Sequence, residues 1–370
     1  MQQRMIENLK VGPYAMRYSQ FVPRLYNLCR SLGFERDRML PSRAFCSDES
    51  QGYPVILIAQ HFGTFPFDHG RVGGKVSVNR HGPYAAHGED LVIIQASHVG
   101  YDADGGRFGV YRRERTESCG FGSNCGKLAA VLHWYHDEYQ RARELIRFGR
   151  LDGEPVVYLD NQYLDDRRSE GLFPKLDQLV EEADDPVKAL ATSKAYLASQ
   201  RLRDRLPAAS WQDESQALGA QLTADLFTFR RQLSQDPEEH DILEMELFPA
   251  MPALVTSAHP ALDAARFVTQ VEFDRCYRSI LREPAYTGKN LLFISGVNID
   301  VSPRAGFPFP LIKFVPWAAY ASLRDGRKFL LEQAELNEQL RNQSPDNPDR
   351  LSFDDSIRRM ADAEEIRLEV

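Results

Sequence analysis

Two apolar runs, Leu91-Val-Ile-Ile-Gln-Ala96 and Leu291-Leu-Phe-Ile294, constrain this chain more than any other feature. Neither alternates apolar and polar residues with a period of two. Each therefore predicts a strand covered on both faces, as in a parallel sheet between helical layers. Ala44-Phe-Cys46, Val55–Ala59 and Pro155–Leu159 read as further short strands. The amphipathic stretch from Leu128 to Phe148, a helix starting near Cys125, separates the Leu91 run from Pro155–Leu159 and gives βαβ order. The expected fold class is α/β, with a central, mostly parallel sheet flanked by helices.

The flanks divide the chain further. Tyr14, Tyr18, Phe21, Leu25, Leu28 and Leu32 recur at helical spacing and stop at Gly33, predicting an N-terminal helical cap over residues 1–40. The main domain then runs over 41–325, with Leu291–Val301 completing its sheet. Within it, residues 160–285 mix acids and bases in a Leu/Ala-rich background (Glu181-Glu-Ala-Asp-Asp185, Arg201-Leu-Arg-Asp-Arg205). That predicts a helical insertion, about 160–285, with its charges in water. Residues 326–370 form a charged helical tail, interrupted by the loop composition of Asn342–Asp349.

Composition removes several functions. Asp and Glu outnumber Lys and Arg by 53 to 45, a net charge of -8, which argues against a nucleic-acid binder, since that would need a basic stripe. The longest clean apolar run, Pro54–Ala59, is far short of the ~18 residues of a membrane span. The N-terminal Met1-Gln-Gln-Arg-Met-Ile-Glu-Asn8 has neither an apolar signal core nor transit-peptide character, so the expected location is the cytoplasm. Five cysteines are too sparse for a disulfide frame and read as thiols or metal ligands.

Three of those five cysteines and seven of the nine histidines fall between residues 46 and 136, which focuses the search for chemistry there. Cys46 and Asp48 come where a short strand gives way to a loop, and His98 closes the Leu91 run. Both are places where open α/β sheets carry their sites. Cys125 opens a helix, where the backbone dipole favours thiolate. Cys46, His98 and Cys125 make a Cys2His set, an accepted donor set for catalytic zinc with an open fourth position. Cys119, six residues earlier, competes with Cys125. Asp48 can orient a zinc-bound hydroxide only if an arginine holds it off the metal; otherwise it becomes the fourth ligand and closes the site. As a small apolar side chain, each cysteine also has a plain packing role, the reading preferred for Cys29 and Cys276. The glycine-rich Gly120-Phe-Gly-Ser-Asn-Cys125 lacks the last glycine of a dinucleotide loop and the Ser or Thr of a phosphate loop. His61, His69, His81 and His87 lie in glycine-rich segments, as pocket lining or ordinary loop residues.

With these residues in view, the sequence resembles the limiting-CO2-inducible protein B/C family, the β-carbonic-anhydrase-like group also called theta carbonic anhydrases. The resemblance rests on Asn27–Cys29, Ala44-Phe-Cys-Ser-Asp-Glu49, Phe62-Gly-Thr-Phe-Pro-Phe67 through Gly73, Ala96-Ser-His-Val-Gly-Tyr-Asp102 through Arg113, and Cys125-Gly126. Ile294–Asp300 matches more weakly. It implies a β-carbonic-anhydrase-like fold and a homodimer. It also implies zinc held by Cys46, His98 and Cys125, and reversible hydration of CO2 to bicarbonate by a zinc-bound hydroxide positioned by Asp48. The family's Cys-Cys-Gly is here Cys119-Gly plus Cys125-Gly, which leaves the third ligand between the two. Ser50 stands where ordinary β-carbonic anhydrases have the arginine that pairs with this aspartate. Arg71 is the first substitute, with Arg80 and Arg113 behind it. Phe62, Phe65, Phe67 and Val99 are the expected wall of a CO2 pocket. Two further readings share the zinc: a catalytically silent protein that binds bicarbonate or a protein partner, and a hydrolase of another small substrate.

Overall fold

A computed structural model of the chain describes residues 2–76, 88–112, 120–233, 239–303 and 309–365. It divides into two compact units, Met5–Gly126 with Ala265–Val370, and Lys127–Ala264 with the first four residues.

The first unit is built on an eight-stranded sheet. Its strands run in the order Met16–Arg17, Leu311–Ser322, Asn290–Val301, Asp90–Asp102, Met39–Ala44 and Phe67–Asp68. Lys328–Leu331 pairs with the second of these and Arg107–Phe108 with the fourth. The two expected strands run side by side and parallel, from Asn290 beside Asp90 to Val301 beside Tyr101. Both are buried almost end to end, as continuous apolar runs require. Parallel pairing continues through Met39–Ala44 to Phe67–Asp68, whereas Leu311–Ser322 returns antiparallel. The chain thus has the expected α/β fold, its central sheet mixed, with four neighbouring strands in parallel and antiparallel strands beside them.

Each face of this sheet has its own apolar layer. Val92, Ile94, Leu292 and Ile294 point to one face and pack with Tyr18, Phe21, Leu25, Ile58 and Leu336. These come from the helices Tyr18–Ser31, Gly52–Phe62 and Gln333–Asn342. Ile93, Leu291 and Phe293 face the other way, against Phe273, Cys276 and Ile280 of the helix Pro260–Arg282. Three expectations change here. Val55–Ala59 is part of the helix Gly52–Phe62, since a short apolar run does not by itself distinguish strand from helix. The N-terminal helix ends where Gly33 takes a φ of 93°, but it is a core layer rather than a separate cap. The tail likewise supplies a sheet strand and a core helix before its last helix, Phe353–Ala361.

The second unit corrects the placing of Pro155–Leu159 in the central sheet and the first part of the helical insertion expected over about 160–285, whose last part is the helix Pro260–Arg282. Pro155–Leu159 is indeed a strand, Glu154–Asp160, yet it belongs to a separate antiparallel sheet. That sheet runs Lys188–Ala189, Ser193–Leu197, Glu154–Asp160, Arg147–Leu151 and Gln216–Ala217. A second small sheet pairs Gly171–Pro174 with Phe227–Arg230. Longer helices return from Glu239–Leu247 onward. Interspersed charges mark a solvated face of either kind; the period-two burial of Phe227-Thr-Phe-Arg230 shows a strand instead of a helix.

His61, expected in a loop, is a buried residue of the helix Gly52–Phe62. Its Nδ1 lies 3.2 Å from Asn347 Nδ2 and acts as acceptor, which requires a neutral ring. Burial, with a smaller push from Arg350, lowers its pKa to about 4. Unfolded histidine titrates near ~6.5, so the unfolded chain binds the extra proton first. This contribution to stability is complete above pH ~6.5 and is lost as pH falls through about 4. The urea midpoint should fall between pH 7.5 and pH 5, and His61→Gln should reduce that fall; an identical fall in the variant would count against His61 as its source.

Candidate metal centre

Three separate segments meet at one point. Ala44 pairs with Gln95, so the chain's extension by two residues brings Cys46 level with Ser97, next to His98 in the strand Asp90–Asp102. Cys46 thus lies just beyond a strand's carboxyl end, the usual place for a site in such sheets. His98 points to the same face as Asn298, directly opposite it on the neighbouring strand, and Asp300 two residues further on. Cys125 is held by a backbone lock: Gly100 N–H donates to Asn124 O at 2.8 Å, Asn124 N–H to Gly109 O at 2.9 Å, and Gly109 N–H to Gly100 O at 2.9 Å. A Cβ at Gly100 would come within 2.7 Å of Val110 O and 3.0 Å of Asn124 Cβ, so this approach requires glycine.

The ligand atoms of Cys46, His98 and Cys125 all lie within 4.8 Å of one another, and all three residues are buried. The two sulfurs are 3.9 Å apart; two Zn–S bonds of ~2.3 Å at a tetrahedral angle need roughly that spacing. His98 Nδ1 donates to Asp300 Oδ2 at 2.8 Å. That leaves Nε2 as a buried nitrogen with no hydrogen-bond partner among the described residues. An orphaned imidazole nitrogen beside two thiols is the donor arrangement that a thiophilic metal satisfies. The group could hold a metal ion.

Electrostatics bind the three into one unit. Hydrogen bonding from Cys125 holds the Cys46 thiol well below its ordinary range, with Gly73 N–H adding a contact at 3.4 Å. The same sulfur–sulfur contact, together with burial, pushes Cys125 up. Burial alone would depress His98, but the Asp300 carboxylate and the two sulfurs more than reverse it, and its pKa is raised.

Around the ligands stands a polar shell. Asp300 also accepts from Ser50 Oγ at 2.8 Å and from Gln51 Nε2 at 3.0 Å, while Gln51 Oε1 accepts from Asn298 Nδ2 at 2.7 Å. Asp48 caps the turn Glu49–Gln51: its Oδ1 accepts from Ser50 N–H at 3.0 Å and from Asn124 Nδ2 at 3.5 Å. Burial raises the Asp48 pKa, with His98 opposing. Asp300, Ser50, Gln51, Asn298 and Asn124 have no assigned role in the sequence reading. Their signal is the polar Asn298-Ile-Asp300 inside a fully buried strand, where polar groups need partners.

Other expected residues lie elsewhere. Asp48 pairs with no arginine among the described residues; Arg71 sits on the short strand Gly70–Arg71, turned back against Lys75–Val76. Arg80, Arg113, His81, His87 and the competing Cys119 lie outside the described residues. Phe62 packs on Tyr26 in the core and Phe67 on His69, while Phe65 is 64% exposed beside Phe353. Val99 alternates to the face opposite His98. Cys29 and Cys276 are core residues.

No family model matches the sequence, and no curated protein is significantly similar to it. Solved structures do match. One is PtLCIB4, a homolog of the limiting CO2-inducible protein LCIB, at 14% identity and a TM-score of 0.52. That match covers 86% of this chain and 95% of the other. Another is a histidine-to-alanine mutant of PtLCIB4, at 14% identity and a TM-score of 0.53, covering 89% and 97%. This chain has the fold of those proteins. Among the described residues, no helix is long and apolar enough to cross a membrane.

Proposed function

We propose that the chain is a zinc-dependent carbonic anhydrase that interconverts CO2 and bicarbonate, acting as a cytoplasmic homodimer. The observation that carries this reading is the buried Cys46–His98–Cys125 group, whose orphaned His98 Nε2 faces two thiols with Asp48 alongside. It occurs in a fold shared with a homolog of the limiting CO2-inducible protein. A Cys2His set gives zinc three protein ligands and leaves the fourth position open. Bound there, zinc supplies Lewis acidity that makes a water acidic enough to attack near neutral pH.

The chain's own groups do the rest. Asp300 holds His98 in the tautomer that presents Nε2, and Ser50 and Gln51 hold Asp300. Ser50 N–H and Asn124 both engage Asp48 Oδ1. Oδ2 is thereby the atom left to accept a hydrogen bond from the attacking water and orient its lone pair. The Ser50 amide and Asn124 thus do the positioning that the guanidinium does in ordinary β-carbonic anhydrases.

Stopped-flow CO2 hydration on protein of known zinc content tests this, with Cys46→Ser as the control. Asp48→Asn should retain about one zinc and lose ~100-fold or more in kcat, in the range general-base removal produces. One observation favours the silent zinc protein: no arginine among the described residues restrains Asp48. On that reading wild-type protein with full zinc hydrates CO2 at the background rate, and Asp48→Ala opens an exchangeable fourth position.

A further inference from the structure

The opposite face of the same sheet carries a cavity that the CO2 chemistry does not use. Arg17 and Lys313 are direct partners in the antiparallel pairing of Met16–Arg17 with Leu311–Ser322. Two like charges placed opposite one another destabilise a sheet. Both side chains are exposed, and neither has an ion pair or hydrogen bond among the described residues. Lys313 in turn sits opposite Ile299, and Leu311 opposite Val301, so one cross-strand row leads from the two cations onto apolar ground.

These residues line a cavity of about 760 Å³. Its apolar lining includes Ile299, Val301 and Phe108, with the Tyr101 ring tilted by 41° against Phe108 at 4.7 Å between centroids. Arg112 adds a third cation at the rim, 5.1 Å from the Phe121 ring. The acids present do not cancel them. Asp102 is occupied by Arg107 and by the N–H groups of Asp104 and Gly105, leaving one exposed carboxylate, Asp104. Ile299 and Val301 alternate with Asp300, so the cavity and the His98–Asp300 pair lie on opposite faces.

We infer that this cavity binds a small organic anion, an apolar or aromatic body seated on Ile299, Val301 and Phe108 with its charge between Arg17 and Lys313. The volume suits a ligand of nucleotide size, within the ~300–1,000 Å³ of small-molecule sites. Burying the body against apolar side chains supplies affinity, and the facing cations supply selectivity for the anion.

Two fluorescent probes of one shape test the idea on the full chain: 8-anilinonaphthalene-1-sulfonate, and the neutral N-phenyl-1-naphthylamine that lacks the sulfonate. Wild-type protein should bind the sulfonate at least ~10-fold more tightly than the neutral probe. Arg17→Glu with Lys313→Glu should weaken the sulfonate ~10-fold or more and leave the neutral probe within about twofold. The milder Arg17→Gln, Lys313→Gln pair should lose most of the sulfonate preference, with the melting temperature unchanged or raised by relief of the like-charge pair. Equal binding of the two probes by wild type overturns the inference. So does an undiminished sulfonate affinity in both double variants.

Discussion

Replacing Cys125 by alanine is expected to abolish metal binding by the Cys46–His98–Cys125 group. Zinc per chain after dialysis falls from about one to near zero, and CO2 hydration falls to the uncatalysed rate. The reason lies in the donor count. Cys46, His98 and Cys125 are the group whose ligand atoms converge among the described residues, and a catalytic zinc needs three protein ligands. With Cys125 gone, the Cys46 sulfur loses its partner at 3.9 Å and His98 Nε2 keeps a single neighbour able to share an ion. Metal that binds only the folded chain stabilises it by about 4 kcal/mol at 1,000 times its Kd. At 2–4 °C per kcal/mol for a unit of this size, chelation should lower the wild-type melting temperature by roughly 8–16 °C. The melting temperature of Cys125→Ala should not respond to chelator. Cys119→Ala should keep both zinc and turnover. Zinc retained by Cys125→Ala and lost by Cys119→Ala would move the third ligand to Cys119.

How much of this centre is legible in the chain depends on whether a residue declares itself locally. Cys46 does, two residues past the strand Met39–Ala44, and Cys125 does, just ahead of the helix Gly126–Leu145; His98 follows the apolar Leu91 run but lies inside its strand, which continues to Asp102. The central strands do as well, because long buried runs leave little freedom. What stays hidden is set by tertiary pairing. Asp300 reaches His98 only because Asn290–Val301 lies parallel to Asp90–Asp102 in one particular register, across some two hundred residues of chain. The Ser50 amide and the Asn124 side chain reach Asp48 through a local turn and a tertiary approach that no residue pattern announces. The second unit departs from expectation for a different reason. Charge alternation along 160–230 marks its solvated surface correctly and says nothing about whether helices or short strands lie beneath.

Asp300→Asn is the sharper test, because it changes one atom and leaves all three ligand residues in the chain. Asp300 is fully buried, and its carboxylate meets three donors: His98 Nδ1, Ser50 Oγ and Gln51 Nε2. Asparagine keeps the size but offers one acceptor oxygen and an NH2 group. If the oxygen turns to His98, the NH2 confronts the Ser50 and Gln51 donors. If the NH2 turns to His98, Nδ1 must become an acceptor and the ring proton moves to Nε2, blocking the nitrogen that faces Cys46 and Cys125. Either arrangement costs affinity, and loss of an outer-shell carboxylate on a histidine ligand typically weakens metal binding 10–100-fold. Zinc competition with a chromophoric chelator should show that loss in Asp300→Asn. Gln51→Glu, which sets a second carboxylate against Asp300 in a buried site, should weaken binding further or destabilise the fold. Ser50→Ala removes one donor to Asp300 and leaves the Ser50 N–H on Asp48 in place, so it should have the mildest effect of the three. An unchanged zinc affinity in Asp300→Asn would mean that His98 is oriented by its strand alone and that the carboxylate does not select the tautomer.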